Sequence, residues 1–190
     1  MSHDLEQRLA RLEAAEAIRQ LKARYARLAD AKYGSDYRRQ PAPVMLEIAR
    51  AQADCFAEDA RWDGGPGFGA SLVGRAALAD WFARSPWCWA LHYYTSPEIA
   101  VEGERAHASW RLWQIALRDP GGQALLLAAV THEDYARQPD GNWLCTQMRF
   151  EQTQMLPVGA GSFPLATSFE QIPSAGSGAE QPFIPPVTPR

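Results

Sequence analysis

Residues 89–118 read WALHYYTSPEIAVEGERAHASWRLWQIALR. Two apolar, aromatic runs flank the turn-forming Glu102-Gly103-Glu104. That pattern predicts an antiparallel hairpin of Trp89–Val101 and Arg105–Arg118. Pro97 has no N–H to give to a ladder, so it predicts a bulge or bend in the first strand. The texture continues downstream in Ala124–Arg137 and Trp143–Leu156. The joints there are Asp119-Pro120-Gly121-Gly122 and Pro139-Asp140-Gly141-Asn142, both strong turn chemistry. Four long strands in a meander follow.

Upstream the period changes from two to three or four residues. Asp4–Ala31 carries apolar side chains at Leu5, Leu9, Leu12, Ala15, Ile18, Leu21, Tyr25 and Leu28, which predicts a long amphipathic helix. Gly34 and Ser35 end it. Pro41 and Pro43 sit where a first helical turn tolerates proline, ahead of a helix over Val44–Phe56. An extended piece over Ala57–Asp63 comes next. Gly64–Gly69 (GGPGFG) fits neither dinucleotide nor P-loop patterns and reads as a flexible rim. Arg75–Ala83 is a short helix stopped by Pro86. Helices first and hairpins after predict an α+β domain over residues 1–156. About three N-terminal helices would close a curved, mostly antiparallel sheet into a cone around an apolar pocket. Residues 157–190, rich in Pro and Gly, read as a C-terminal arm, either docked or disordered.

Of the 190 residues, 46% are hydrophobic and 22% charged, with a net charge of -3. Such a chain buries a core without disulfides or metal. The mild negative charge argues against nucleic acid as a partner. No run approaches the ~20 apolar residues of a membrane span. The polar N-terminus is no signal peptide. Three dispersed cysteines read as free thiols in a reducing cytoplasm. Four histidines lack metal-ligand spacing and no nucleotide fingerprint appears, so the expected chemistry needs no cofactor and no metal.

Two polar residues stand out as candidate catalytic groups. His92 interrupts an apolar strand. Asp30 closes the long helix, where the dipole disfavours an anion and calls for a partner. Read singly, Asp30 is equally a solvated helix-end residue, and His92 a core histidine bonded to a backbone carbonyl. Read together they form a base pair: imidazole takes a proton, and the carboxylate holds its tautomer and stabilises the imidazolium. Tyr25, Tyr94, Trp110, His132 and Arg149 are the candidate substrate-binding residues, with Arg137 an alternative cation for a leaving anion. The seven tryptophans suggest a wide apolar pocket for a small cyclic substrate.

Several strings resemble the SnoaL-like (polyketide-cyclase-like) branch of the NTF2-like superfamily. They are LEAAEAIRQLKARYARLADAKY, FAEDARWDGG, LVGRAALADWF, HYYTSPEIAVEGERAHASW and HEDYARQPDGNWLCTQMRF. The group including scytalone dehydratase, bile acid 7α-dehydratase and hexachlorocyclohexane dehydrochlorinase is the most similar. That resemblance implies the cone fold and cofactor-free lyase or isomerase chemistry. The open outer face of a curved sheet needs covering, which predicts a homodimer or homotrimer. The resemblance also implies that Asp30, in LADAKY, and His92, in LHYYTSPEI, are the catalytic pair. Some dehydratases add a histidine or aspartate on the next strand, where this chain has Trp110, Leu112, Trp113 and Gln114. The fold also serves non-catalytic ligand-binding or assembly modules and dioxygenase small subunits, which are the alternative readings.

Overall fold

A helix of 30 residues, α1 (Ser2–Ala31), opens the computed structural model, which describes residues 2–69, 71–119 and 122–158. At 1.5 Å per residue it is about 45 Å long. Its first turns are exposed on every face, Leu5, Leu9 and Leu12 included. Burial begins at Ala14 and follows Ile18, Lys22, Tyr25 and Ala29. The buried stripe is therefore shorter than the apolar period suggested.

Next come α2 (Ala42–Ala53), β1 (Phe56–Asp63), a one-turn α3 (Gly65–Phe68), β2 (Ser71–Val73) and α4 (Arg75–Ala83). The meander is β3 (Trp87–Glu102), β4 (Arg105–Arg118), β5 (Ala124–Arg137) and β6 (Trp143–Pro157). All four expected strands form, and Thr95–Glu98 carries the register shift expected at Pro97. Ser96 there takes a left-handed φ of 48°. The sheet order is β2-β1-β6-β5-β4-β3. β1 runs parallel to β6, so the sheet is mixed and six-stranded. Register shifts in β3–β4 and β5–β6 bend it. The result is the expected α+β architecture, a curved, unclosed sheet with the helices at the N-terminal side.

Three local readings need correcting. The second helix ends at Ala53 because Asp54 and Cys55 turn the chain and release Phe56, fully buried, into β1. The glycine-rich rim contains a helical turn. Gly65 holds φ 55°, and a Cβ there would stand 2.7 Å from the Phe150 carbonyl oxygen, so only glycine lets α3 seat on β6. Ser71–Val73 is a strand, too short to register as a pattern. The C-terminal arm falls outside the described residues beyond residue 158. Among the described residues no helix is long and apolar enough to cross a membrane.

Strand alternation sorts the side chains. Trp110, Leu112, Gln114 and Ala116 of β4 point inward with Leu127, Ala129, Thr131 and Glu133 of β5. Within that core lies a charge pair. Lys22 of α1 donates a short hydrogen bond to Glu133, both almost fully buried. Thr131 Oγ1 donates to the same carboxylate oxygen at 2.6 Å, and Tyr135 Oη donates to the other. The ammonium also lies 3.7 Å from the ring centroid of Tyr94. Burial pulls the Lys22 pKa down and Glu133 opposes that.

Such a pair is costly to break singly, because the survivor is a buried, unpaired charge. Lys22→Met is expected to cost about 3–5 kcal/mol in urea unfolding. Adding Glu133→Gln should recover part of that loss, and simple additivity of the two substitutions would refute the coupling.

Candidate active site

The C-terminal end of α1 meets the middle of β3. Asp30 Oδ1 accepts two hydrogen bonds from His92, one from its backbone N–H at 3.0 Å and one from Nδ1–H at 2.7 Å. The two residues are 62 positions apart. A proton on Nδ1 leaves Nε2 as the ring nitrogen with a free lone pair. The side chains are 13% and 27% exposed for His92 and Asp30. Burial pulls the His92 pKa down, and the Asp30 hydrogen bond and charge oppose it. The net direction is downward, so the ring is neutral at pH 7.

His92 is part of the wall of a cavity between α1, α2, α4 and the sheet. The cavity's volume is about 70 Å³, or about 550 Å³ with the open space at its mouth included. Aromatic rings make it narrow. Trp62 packs against Trp81 at 5.8 Å and Phe150 at 5.5 Å between centroids, and Phe68 meets Phe150 at 5.0 Å. The loop after α1 braces one side. Arg39 donates to the carbonyls of Trp87 (Nε, 2.7 Å) and Ser85 (Nη2, 2.6 Å) and pairs with Asp119 at 2.9 Å. Tyr33 and Ser85 share a hydroxyl hydrogen bond of 2.6 Å. Tyr33, Ser85 and Trp87 all line the cavity.

Tyr25 and Tyr94, both sequence candidates, line the cavity with His92. Their rings meet edge to face at 6.0 Å. Burial raises both phenols above their usual range. Three other candidates lie elsewhere. Trp110 is buried in the core near Lys22, outside the cavity wall. His132 and Arg149 both bind Glu151, at 3.2 and 2.8 Å, and all three are substantially exposed. Alternation explains this: Thr131 and Glu133 point inward, so His132 between them points out, with Arg149 opposite it on β6. Arg137 pairs with Glu104 at 3.4 Å on the surface. The wide pocket read from the tryptophans is corrected too. Trp62, Trp81 and Trp87 fill the cavity's edges, while Trp113 is half-exposed on the outer face.

Four polar residues of the wall were given no role in the sequence reading, Gln114 among them although it was named there. Lys32, only two positions after Asp30, is 5% exposed, and its Nζ donates to the Phe82 carbonyl at 3.3 Å. Burial lowers its pKa to about 8 against the pull of Asp30. Gln114 Nε2, Trp62 Nε1 and Gln52 Oε1 are buried without a hydrogen-bond partner in the protein. The signal for Gln114 was its place at an inward position of an otherwise apolar strand face. Among the described residues no three His, Cys, Asp or Glu side chains gather as a metal site would require.

Comparison with known proteins fits this architecture. Hexachlorocyclohexane dehydrochlorinase LinA-type3 from Novosphingobium barchaimii superposes with a TM-score of 0.64 at 19% identity, over 82% of this chain and 94% of that one. A candidate scytalone dehydratase from Novosphingobium aromaticivorans gives 0.62 at 16% identity, over 82% and 96%. An NTF2-like protein with a cystatin-like fold from the same organism gives 0.61 at 25% identity, over 78% and 87%. No curated protein matches the chain. The family described as the SnoaL-like domain matches residues 48–149. Matched over more than half its length, the chain belongs to the SnoaL-like domain family, within the NTF2-like fold.

Proposed function

We propose that the chain is a cofactor-independent lyase or isomerase acting on a small, largely apolar cyclic substrate. His92 is the general base and Asp30 its positioning partner. One observation carries the reading: a single carboxylate oxygen accepts both donors of a histidine whose ring lines an aromatic-walled cavity. The double acceptance fixes the ring's tautomer and its angle. Nε2 then takes a proton from a substrate carbon, and the C–H electron pair forms a new double bond. A leaving group departs, or the proton returns at another carbon. The imidazolium formed in between is stabilised by the Asp30 carboxylate. The reading is consistent with dehydratase and dehydrochlorinase relatives of the same fold. Burial keeps the imidazole unprotonated at neutral pH, as a base requires.

A homodimer or homotrimer belongs to the same proposal. Tyr93, Trp113 and Ile115 expose apolar surface on the outer face of β3 and β4, which an oligomer would cover. Sedimentation at monomer mass across micromolar concentrations would refute it.

Turnover of a panel of cyclic alcohols, halides and enones tests the base. His92→Ala is expected to lose about 10²–10⁴ in kcat/KM, and Asp30→Asn a comparable factor. A His92→Ala enzyme as active as the parent would end the reading. The acid limb of kcat/KM should fall below the ordinary imidazole value of about 6.5, because activity needs neutral His92 and burial depresses its pKa. In an NMR titration Asp30→Asn should move the His92 midpoint lower still, since Asp30 is what holds it up. An upward shift would show that Asp30 does not stabilise the imidazolium.

A further inference from the structure

We propose that Lys32 and Gln114 bind the carbonyl oxygen of the substrate, which makes the substrate class an enolisable cyclic ketone or enone. The inference rests on His92 acting as the base. Three features of the cavity wall support it. Gln114 faces His92 directly across β3–β4. Opposed residues on one sheet face have Cβ atoms about 4.5–5.5 Å apart, so the amide sits beside the imidazole. Its Nε2 is buried without a partner in the protein, and the residue is 1% exposed. Lys32 lines the same cavity, is 5% exposed, and uses one of its three donors on the Phe82 carbonyl. No carboxylate among the described residues lies within ion-pair distance of its Nζ.

An apolar substrate would leave both groups unsatisfied, at a desolvation cost with nothing in return. A carbonyl oxygen accepts from both. In the reaction, His92 Nε2 removes the proton on the carbon next to the carbonyl. The C–H pair becomes the C=C bond and the carbonyl π pair moves to oxygen. The enolate oxygen then carries the charge that Lys32 and Gln114 meet, a donor pair arranged where charge develops. In an elimination the enolate pair returns through carbon and expels a β-hydroxyl, which takes the proton from His92 and leaves as water. In an isomerisation that proton goes back to a different carbon. The lowered pKa of about 8 still leaves most of Lys32 protonated at pH 7 and suits it to this place.

The test uses 4-nitrophenolate, a single-ring enolate mimic, in optical titration of the full chain. The parent protein should bind it with a shifted absorption band. Lys32→Met should weaken binding about tenfold to a hundredfold. Gln114→Leu should weaken it about two- to tenfold, and serves if the lysine variant fails to fold. His92→Ala should still bind it. Equal affinity in the parent and both wall variants would overturn the inference. So would a covalent adduct on Lys32 after borohydride treatment with a cyclic ketone, since an imine needs a nucleophilic amine and not a hydrogen-bond donor. Turnover separates the two readings. Loss in His92→Ala confined to halides, with nitrophenolate indifferent to Lys32, sinks this inference and spares the base. Lys32-dependent nitrophenolate binding with ketone turnover indifferent to His92 leaves the oxygen site standing and sinks the base.

Discussion

One carboxylate oxygen of Asp30 holds a strand and a helix together. It accepts the amide of His92 and the ring of His92 at once. The first bond is to backbone, so it fixes where β3 lies against the end of α1. The second is to side chain, so it fixes how the imidazole turns. An aspartate bonded only to the ring would leave β3 without this direct backbone tie to the end of α1. One bonded only to the amide would leave the ring free to flip. With both, any geometry at Nε2 is inherited from the packing of α1 on the sheet. The loop after α1 reinforces this, because Arg39 and Tyr33 tie the same segment to the start of β3.

The protein contains a second Asp–His pair, and the contrast is instructive. His107 Nδ1 lies 2.6 Å from Asp134 Oδ1, a distance like that at Asp30. Its side chains are 64% and 43% exposed. Bonding geometry alone therefore does not distinguish a base from a surface pair. What sets His92 apart from His107 is burial in a cavity wall, which lowers its pKa. The two buried lysines differ in the same way. Lys22 has Glu133, Thr131 and Tyr135 arranged around its charge and belongs to the core. Lys32 has a single carbonyl acceptor and belongs to the cavity.

Much of this was legible in the sequence, for identifiable reasons. Turn chemistry at Glu102–Glu104 and Pro139–Asn142 marked the hairpins, and alternation marked the strands. The meeting of Asp30 and His92 was inferred from resemblance and from an anion at a helix end, not from any local pattern. His132 and Arg149 were misplaced because residue type was weighed without strand parity, although Thr131 and Glu133 on either side could have settled it. The parallel pairing of β1 with β6 has no local signature at all, since it joins segments far apart in the chain. Lys32 escaped notice because a lysine just past a helix end is usually solvated. Here the turn to Tyr33 folds it back under Phe82.

The polar atoms of the cavity bear on why so narrow a site carries them. An unpartnered buried donor or acceptor costs about 1–3 kcal/mol, and three are present beside a lysine with one acceptor. Apolar side chains of similar shape would serve the core better. A domain with a stability of order 5–15 kcal/mol bears such a cost only where other packing offsets it. The aromatic layer of Trp62, Trp81, Phe68 and Phe150 supplies that packing along the same wall. The core around Lys22 meets the charges of its ion pair with three oxygen and nitrogen partners, while Trp110 Nε1 beside it is also left without a partner in the protein. What sets the cavity apart is that the spare donors of Gln114 and Lys32 share a wall with the His92 ring, so the cost of leaving them unpaired falls at the candidate site.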